Sequence, residues 1–294
     1  MGIKLKWDDQ SAQNLDGIEI YRSATKIDSN NPGAPLATIA GSATAYEDNS
    51  VLNKSLYYYR ILAKKGTDKA WSENILAGYF AETGPGNPTP LRGDWNAGLM
   101  DTVLPQDLIT NAALRAKVPS LAALSGAAEP GAWYKFCYKG TVFFCPSASI
   151  VTASWSQLYS AGLVYGTDDV GVSPSGPTGT VKQRTVVNIN GLNYILRLPR
   201  MSTLPLNQYV VNQADTLGSE WRDTVARLVA DGVDTSPGSR TRLFDLGSFA
   251  NALGPHLNTN VNVAGVTSTK PETLVAYNSG ASVAQTLVLE LIMP

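Results

Sequence analysis

The first 82 residues carry short stretches in which apolar and polar residues alternate, and this period of two constrains the fold more than any other feature. Ile3 and Leu5 alternate with lysines, and further along Tyr57 and Tyr59 fall on one face of a second stretch. Turn-forming runs such as "LDG", "NNPGAP" and "KKGTDK" separate these stretches. Because successive side chains of a strand point to opposite faces, the pattern predicts many short antiparallel strands and no helix. We therefore expect an all-β sandwich over residues 1–82.

The composition is that of a folded protein with a weakly charged surface. Of 294 residues, 44% are hydrophobic and 16% are charged, against roughly 25% charged residues in a typical soluble domain. This apolar content suffices for packed cores, and a surface with few charges suits a protein that contacts neighbouring subunits. With a net charge of −1 and scattered Lys and Arg, the sequence predicts neither a nucleic-acid partner nor binding to an anionic membrane.

The sequence also gives no sign of a membrane or export signal. No run of 18 apolar residues occurs, so we expect no membrane insertion. The N-terminal "MGIKLKWDDQ" alternates in polarity and lacks the apolar core of a signal peptide, which predicts synthesis in a cytoplasm without Sec export.

A Pro/Gly-rich stretch, "AETGPGNPTPLRGD", follows the alternating region. Such a composition breaks regular elements and forms a semi-rigid spacer, so we predict a linker over 83–92. The stretch contains "RGD", Arg92 to Asp94, which integrins recognise in some proteins. A tripeptide arises easily by chance, and we interpret this one as the start of the following domain.

Residues 93–294 mix helical and strand patterns. Stretch 105–124 predicts one or two short helices interrupted at Pro119, and "TASWSQLYSAGL" predicts a capped helix that buries Trp155. Asn190-Gly191 is a strong signal for a two-residue hairpin turn, and Lys139-Gly140 predicts a second hairpin. A closing strand, "AQTLVLELIM", is expected to pair back to the early hairpin. Together these patterns predict an α+β domain.

The two cysteines, Cys137 and Cys145, lie in that early hairpin. If Lys139-Gly140 forms the turn, Cys137 faces Val142 and Cys145 faces Tyr134, which puts the two sulfurs on opposite faces of the sheet. This register disfavours a disulfide, and we predict two buried free thiols.

The stretch "LGSEWRDTVARLVADG" raises the question of catalysis, because Glu220 and Asp223 are three residues apart. Two carboxylates at this spacing can act as an acid/base pair, but they also suit the first turn of a helix, where acids favour the helix dipole. With Ser219 as the N-cap and Trp221 on a buried stripe, the second interpretation explains these residues without chemistry. Arg222 and Arg227 are available as ion-pair partners for these acids.

Other candidate sites are weaker. Asp168 and Asp169 could contribute to a Ca²⁺ site, but six to eight oxygen ligands are needed and a turn is the simpler interpretation. The single histidine, His256, leaves no His-rich metal site and is expected to be structural, in an "LGPHLN" turn. The loop over 171–181 is Gly/Ser/Pro-rich and is a candidate contact loop. No motif of a serine hydrolase, zinc protease or P-loop occurs, so we expect no catalytic, cofactor-binding or metal site.

The N-terminal region resembles a fibronectin type III domain. The resemblance rests on "IKLKW", "GIEIYRS", "AYEDNSV" and "SLYYYRILAKKG" and covers about 80 residues. It implies that Trp7 lies in the core on an early strand. It also implies that Tyr57 makes a tyrosine corner, its hydroxyl bonding back to the backbone. The chain begins almost at the Trp strand, so the usual first strand is short or missing, which would leave an edge that a neighbouring chain could cover.

The remainder resembles a domain of tailed-bacteriophage virion proteins. The blocks that carry this resemblance are "GDWNAGL", "PQDLIT", "WYKFCYKGTVFFCP", "SWSQLYSAGLVYGTDD", "VNINGLNYILRLPR", "GSEWRDTVARL" and "LVLELI". The "RLP" and "SEW" blocks are also similar to the C-type-lectin-like fold of formylglycine-generating enzymes and their non-enzymatic relatives. The enzymes need a reactive cysteine pair near the end of the domain, and this chain has no cysteine after Cys145.

These resemblances imply a non-enzymatic structural component of a tailed-phage virion, made in the bacterial cytoplasm and built into the tail, baseplate or a fibre. Its expected partners are other virion proteins, including symmetric copies of itself, with a host-surface glycan as a further candidate. A capsid decoration or head fibre is the alternative location, and a carbohydrate-binding receptor module is the alternative class. A hydrolase that uses Glu220 is a third.

Overall fold

The computed structural model describes residues 2–126, 128–173, 181–230, 251–259, 261–267 and 270–293. The fold is largely β, with few and short helices. The chain divides into two compact units, Met1–Glu82 and Thr83–Pro294. Each unit is described by itself below.

The first unit consists of two antiparallel sheets. Strand β1 pairs with β4, and the larger sheet has the order β3-β2-β5-β6, with β7 also on β5. A 3₁₀ turn, Ser11–Gln13, is the helical element described in this unit. The strands are β1 (Ile3–Lys6), β2 (Gly17–Ser23), β3 (Ala37–Ile39), β4 (Ala45–Asp48), β5 (Ser55–Lys65), β6 (Asp68–Trp71) and β7 (Ile75–Tyr79).

Side chains that alternate along the sequence lie on opposite faces of the larger sheet. One face carries Ile20 and Tyr59, which are fully buried in a cluster that includes residues of β1. The opposite face carries Leu62, which packs with Tyr21 and the half-buried ring of Trp71. The period of two thus predicted the strands of this unit and the side chains that they bury.

A buried carboxylate holds β4 to the larger sheet. The Tyr59 hydroxyl and the Arg22 guanidinium each donate to Asp48 Oδ2 over 2.7 Å, while Ser50 donates to Oδ1 from both its backbone and its hydroxyl. Burial alone would raise the pKa of Asp48, but these donors outweigh it and hold the pKa below its usual value. A short strand with little apolar surface is therefore fixed by polar contacts.

The second unit is built around a seven-stranded antiparallel sheet in the order β13-β14-β19-β11-β10-β9-β8. A three-stranded sheet, β15-β16-β17, and the pair β12-β18 complete the strands described. The strands are β8 (Arg92–Gly93), β9 (Ala97–Val103), β10 (Trp133–Tyr138), β11 (Thr141–Pro146), β12 (Val151–Ala153), β13 (Thr185–Ile189), β14 (Leu192–Arg197), β15 (Asn251–Leu257), β16 (Asn262–Thr267), β17 (Lys270–Asn278), β18 (Val283–Gln285) and β19 (Val288–Ile292). The helices are α1 (Asn111–Lys117), α2 (Pro119–Ala122), α3 (Trp155–Ser160), α4 (Glu220–Asp223) and α5 (Val225–Ala230), with a 3₁₀ turn at Gln213–Thr216.

Both predicted hairpin turns are present. Lys139 and Gly140 have φ angles of 46° and 79°, and Asn190 and Gly191 have 51° and 87°. Two successive positive φ angles are what a type I′ turn requires, and Gly and Asn adopt them with little strain. The predicted closing strand is also confirmed, since β19 pairs with β11 of the early hairpin and with β14.

The short helices begin where the sequence predicts. Ser154 caps α3 through a reciprocal pair of hydrogen bonds with Gln157, and Trp155 is fully buried on the inner face. Helix α1 ends at Lys117 and α2 begins at Pro119, so the predicted interruption separates the two helices.

The single helix predicted after Ser219 is wrong in one respect, because it breaks at Thr224. Ser219 does cap the first turn by accepting from the Arg222 N–H over 3.2 Å. Thr224 then leaves helical geometry, with φ −122° and ψ −86°, and its hydroxyl donates to the Glu220 carbonyl oxygen. A threonine hydroxyl that bonds one turn back competes with the helical ladder and bends it. The result is two short helices, α4 and α5.

The stretch predicted as a linker begins the second unit, and its first residues are fixed to the sheet by a buried lysine. Lys135 on β10 is fully buried, and its Nζ lies 3.0 Å from Thr83 Oγ1 and 2.9 Å from the Asn87 carbonyl oxygen. The carbonyl oxygens of Gly84 and Gly86 lie at 3.3 and 3.5 Å, and the Phe144 ring centroid at 5.8 Å. Because these oxygens are ordered around one ammonium group, residues 83–87 follow a defined path.

Candidate functional site

The acidic residue singled out in the sequence, Glu220, lies in a buried ion-pair cluster. Its carboxylate accepts from both terminal nitrogens of Arg197, over 2.9 and 2.6 Å, and from the backbone N–H of Arg200 over 3.1 Å. The side chains of Arg197 and Glu220 are 1% and 2% exposed. Fork-to-fork pairing of this kind is the strongest geometry that a carboxylate and a guanidinium adopt. Glu220 is therefore engaged in holding α4 against β14.

Glu290 on β19 completes the cluster. The Arg197 Nε donates to Glu290 Oε2 over 2.6 Å, and a terminal nitrogen of Arg200 lies 3.7 Å from the same oxygen. Burial disfavours the charged guanidinium, but the two carboxylates outweigh this effect and raise the pKa of Arg197 above its ordinary value. Burial also disfavours the Glu290 carboxylate, while Arg197 and Arg200 favour it and lower its pKa overall. The cluster is charged and internally paired.

The structure separates the two acids of the proposed catalytic pair. Asp223 lies one turn along α4, and its carboxylate faces Arg227 at 3.7 Å, an exposed i,i+4 contact. Arg222 donates to the Thr216 hydroxyl over 3.1 Å. The available Arg227 thus meets Asp223, whereas the partner of Glu220 is Arg197, which lies 23 residues earlier.

The structure places the remaining sequence candidates in structural roles. Asp168 is 72% exposed and pairs with Arg184 over 2.9 Å, and Asp169 closes a turn by accepting from the Gly171 N–H. Within the described residues no group of three or more His, Cys, Asp or Glu side chains could hold a metal ion. The contact loop predicted at 171–181 lies mostly outside the described residues, which stop at 173 and resume at 181.

Both cysteines are free and buried, as predicted. Cys137 pairs with Val142 and Cys145 with Tyr134, the expected register, so the sulfurs face opposite sides of the sheet. Burial, followed by the charge of Asp94, raises the pKa of Cys137 to about 12. Burial is also the larger cause of the raised pKa of Cys145, ahead of Glu220. Neither thiol is available as a thiolate nucleophile near neutral pH.

The tryptophans, the tyrosine and the turn residues singled out in the sequence lie in both units. Trp7 follows β1, is half-buried against the first core, and donates from Nε1 to the Ala43 carbonyl oxygen over 2.7 Å. The Tyr57 hydroxyl accepts from the Leu52 N–H over 3.1 Å. Trp155 and Trp221 are buried in the second unit, and Asn190 and Gly191 form a hairpin turn.

A pocket of about 370 Å³ opens beside the ion-pair cluster. Its charged and aromatic lining is Tyr138, Lys139, Arg200, Glu220 and His256, and the segment 202–206 forms the rest of the wall. The Tyr138 hydroxyl and the Lys139 Nζ both donate to the Gly218 carbonyl oxygen, the lysine over 3.2 Å. The hairpin turn thus brings two side chains to the rim of the pocket.

His256 lies on strand β15, so the predicted turn at "LGPHLN" is wrong. The ring is buried, and its Nε2 lies 3.1 Å from the Leu204 carbonyl oxygen. Because a carbonyl only accepts, Nε2 carries the proton and Nδ1 is an acceptor, for which the structure records no partner. Burial, ahead of the charge of Arg200, lowers the pKa of His256, so the ring is neutral at pH 7.

Sequence reasoning missed Arg197, Glu290 and Arg200. Arg197 and Glu290 are each a lone charge in an otherwise apolar strand, "YILRLP" and "LVLELI", where a charged residue has to find a partner. The apolar neighbours in the sequence indicate that both side chains are buried. They do not identify the partner, because the order of the strands in the sheet determines which charges meet.

Comparisons with family models, curated proteins and solved structures find no match to this chain. Among the described helices, none is both long and apolar enough to span a membrane.

Proposed function

We propose that the chain is a non-enzymatic structural component of a tailed-phage virion, most directly of the tail, baseplate or a fibre. The proposal that the chain is not an enzyme rests on the hydrogen bonding of Glu220, the strongest candidate for a catalytic acid in the sequence. Three hydrogen bonds from Arg197 and the Arg200 backbone occupy its carboxylate. A general acid or base needs a free proton site within reach of substrate, and these donors occupy it.

The assignment of each unit to a known fold is part of this proposal. Two antiparallel sheets, β1-β4 and β3-β2-β5-β6 with β7, support a fibronectin-III-like sandwich for the first unit. The bond between the Leu52 N–H and the Tyr57 hydroxyl supports the tyrosine corner that the resemblance implies. For the second unit, the pairing of Arg197 in "RLP" with Glu220 in "SEW" supports a C-type-lectin-like domain without the enzyme's cysteines.

Assembly is the proposed mechanism, and the edge of β1 is a surface suited to it. Within the described residues β1 pairs only with β4, and the register places Ile3 and Leu5 inward. Lys4 and Lys6 lie on the outer face of this edge strand, and their side chains are exposed. An unpaired edge accepts a strand from another chain, and edge lysines restrict which strands pair. Other virion proteins, including copies of this chain, are the partners proposed.

Purified phage particles test this proposal. Particles of the phage that carries the gene are banded by density, washed in high salt, and analysed by mass spectrometry. We expect peptides from both units of the chain to band with the major capsid protein and to resist the wash. Complete loss of the chain in the wash, or its absence from the band, would contradict a structural role.

A carbohydrate-binding receptor module is the second candidate, and the pocket beside Arg200 favours it. The full chain on a glycan array tests this candidate. No binding at millimolar sugar would exclude it and leave the assembly role intact.

A further inference from the structure

We propose that the pocket lined by Tyr138, Lys139, Arg200, Ser202 and His256 binds a carboxylated sugar. The proposal deepens the second candidate function, the carbohydrate-binding receptor module, and rests on it for its biological meaning. The binding itself depends only on the geometry of the second unit.

The pocket suits an anion because the one carboxylate in its lining, Glu220, and the neighbouring Glu290 are already paired with arginine. Glu220 reaches the pocket wall, but its two oxygens accept from Arg197 and from the Arg200 backbone. Glu290 accepts from the Arg197 Nε. Arg197 and Arg200 balance the two carboxylates, and Lys139 adds a further positive charge at the rim of the pocket.

Arg200 is the group that would hold the anion. Its side chain is 41% exposed, and its terminal nitrogen is 3.7 Å from Glu290, too far for a hydrogen bond. The Arg200 Nε is buried, and the structure records no hydrogen-bond partner for it. A guanidinium with donors to spare binds a carboxylate through two parallel hydrogen bonds. Lys139, exposed at the hairpin turn, adds a second positive charge at the rim.

The rest of the lining suits a small hydroxylated ring. Thr203 brings a hydroxyl group, and Leu204, Pro205 and Leu206 bring an apolar surface for the C–H face of a sugar. The Ser202 hydroxyl holds the wall itself, because it donates to the Asp215 carbonyl oxygen and accepts from the Leu204 N–H. His256 lies in the same wall, and its Nδ1 is a buried acceptor without a recorded partner. A volume of about 370 Å³ lies at the small end of the roughly 300–1,000 Å³ of ligand pockets, which matches one sugar residue.

Titration of the full-length chain by NMR, with D-glucuronate and D-glucose as a matched pair, tests the proposal. The two sugars share a ring and differ in the carboxylate, so we expect saturable binding of glucuronate and at least about tenfold weaker binding of glucose. Inorganic phosphate is the third probe. Equal affinity for glucose and glucuronate, or for phosphate and glucuronate, would overturn the assignment, as would the absence of saturation with glucuronate.

Variants locate the binding. Arg200→Gln and Lys139→Gln are expected to weaken glucuronate binding, the first by about tenfold or more. Arg227→Gln removes an exposed arginine that lines a different pocket and should leave the affinity unchanged. Near-UV circular dichroism of each variant verifies the fold, and the Lys139 variant keeps the test decisive if the Arg200 variant misfolds. Unchanged binding in folded Arg200→Gln or Lys139→Gln protein would overturn the proposal.

The outcomes separate the two proposals. Glucuronate binding by a chain that is absent from particles would reject only the virion role. A chain that is present in particles but does not bind glucuronate would reject only the pocket.

Discussion

Arg197 on β14 and Glu220 at the start of α4 are joined by two hydrogen bonds of 2.9 and 2.6 Å, and both side chains are almost completely buried. The pair connects a central strand to the helix that carries Trp221. Removing one partner of a buried pair leaves an uncompensated charge, which costs more than the pair contributes.

Glu220→Gln should destabilise the protein by about 3 kcal/mol, because it removes one of the two carboxylates that balance Arg197. Asp223→Asn is the matched control on the same helix. It weakens a partly exposed contact at 3.7 Å and should change the free energy of unfolding by less than about 0.5 kcal/mol. Urea unfolding followed by tryptophan fluorescence measures both. Equal effects would mean that the buried cluster does not stabilise the fold.

The pH dependence of stability should carry a contribution from Glu290. Its pKa in the folded protein is lowered, because Arg197 and Arg200 outweigh the effect of burial. The unfolded state then binds a proton more readily, so the contribution is fully present above the unfolded pKa of about 4.3 and is lost as the pH falls through the lower folded pKa. Glu290→Gln should therefore flatten the fall of stability with acid relative to the parent protein. If chemical unfolding showed the same loss of stability at acid pH in Glu290→Gln as in the parent protein, the contribution of Glu290 would be contradicted.

The thiols should resist alkylation in the folded protein. Burial raises the pKa of Cys137 to about 12, and Cys145 is also buried with a raised pKa. We expect iodoacetamide at neutral pH to leave both thiols unmodified until denaturant is added, as measured by intact mass. Rapid labelling of the native protein would show that the thiols are not buried, and an intramolecular disulfide would show that the hairpin register is wrong.

Lys135→Met should release residues 83–87 from the sheet. The ammonium group is surrounded by Thr83 Oγ1 and by the carbonyl oxygens of Gly84, Gly86 and Asn87. A methionine fills the space but donates no hydrogen bonds, so we expect a loss of about 3 kcal/mol and faster proteolysis within this segment. Lys117→Met, at an exposed helix end, is the control and should behave like the parent protein. Equal rates of proteolysis in the two variants would show that Lys135 does not hold residues 83–87 to the sheet.

Tyr57→Phe tests the tyrosine contact of the first unit. It removes the acceptor of the Leu52 N–H, which should cost about 1 kcal/mol. Tyr58→Phe alters the neighbouring side chain on the opposite face and should have little effect. If the two substitutions cost the same, the Tyr57 hydroxyl has no special role.

The sequence predicted what local chemistry determines. Asn190-Gly191 and Lys139-Gly140 form hairpin turns because their backbone needs positive φ angles, and Ser154 begins a helix because its hydroxyl caps it. Non-local polar contacts were not predictable. Arg197 and Glu220 are 23 residues apart and meet only because β14 and α4 pack together. The "LGPHLN" stretch predicts a turn at His256, yet strand β15 accommodates its glycine and proline at an irregular register between Leu253 and Leu257.

The number of copies of this chain in purified virions tests the central claim most directly. Quantitative mass spectrometry with labelled peptides from each unit gives the ratio to the major capsid protein. A structural component is expected at a fixed, reproducible copy number, with a few copies indicating a tail or baseplate position and hundreds indicating decoration of the head. A substoichiometric amount that varies between preparations, or no detectable chain, would contradict the account.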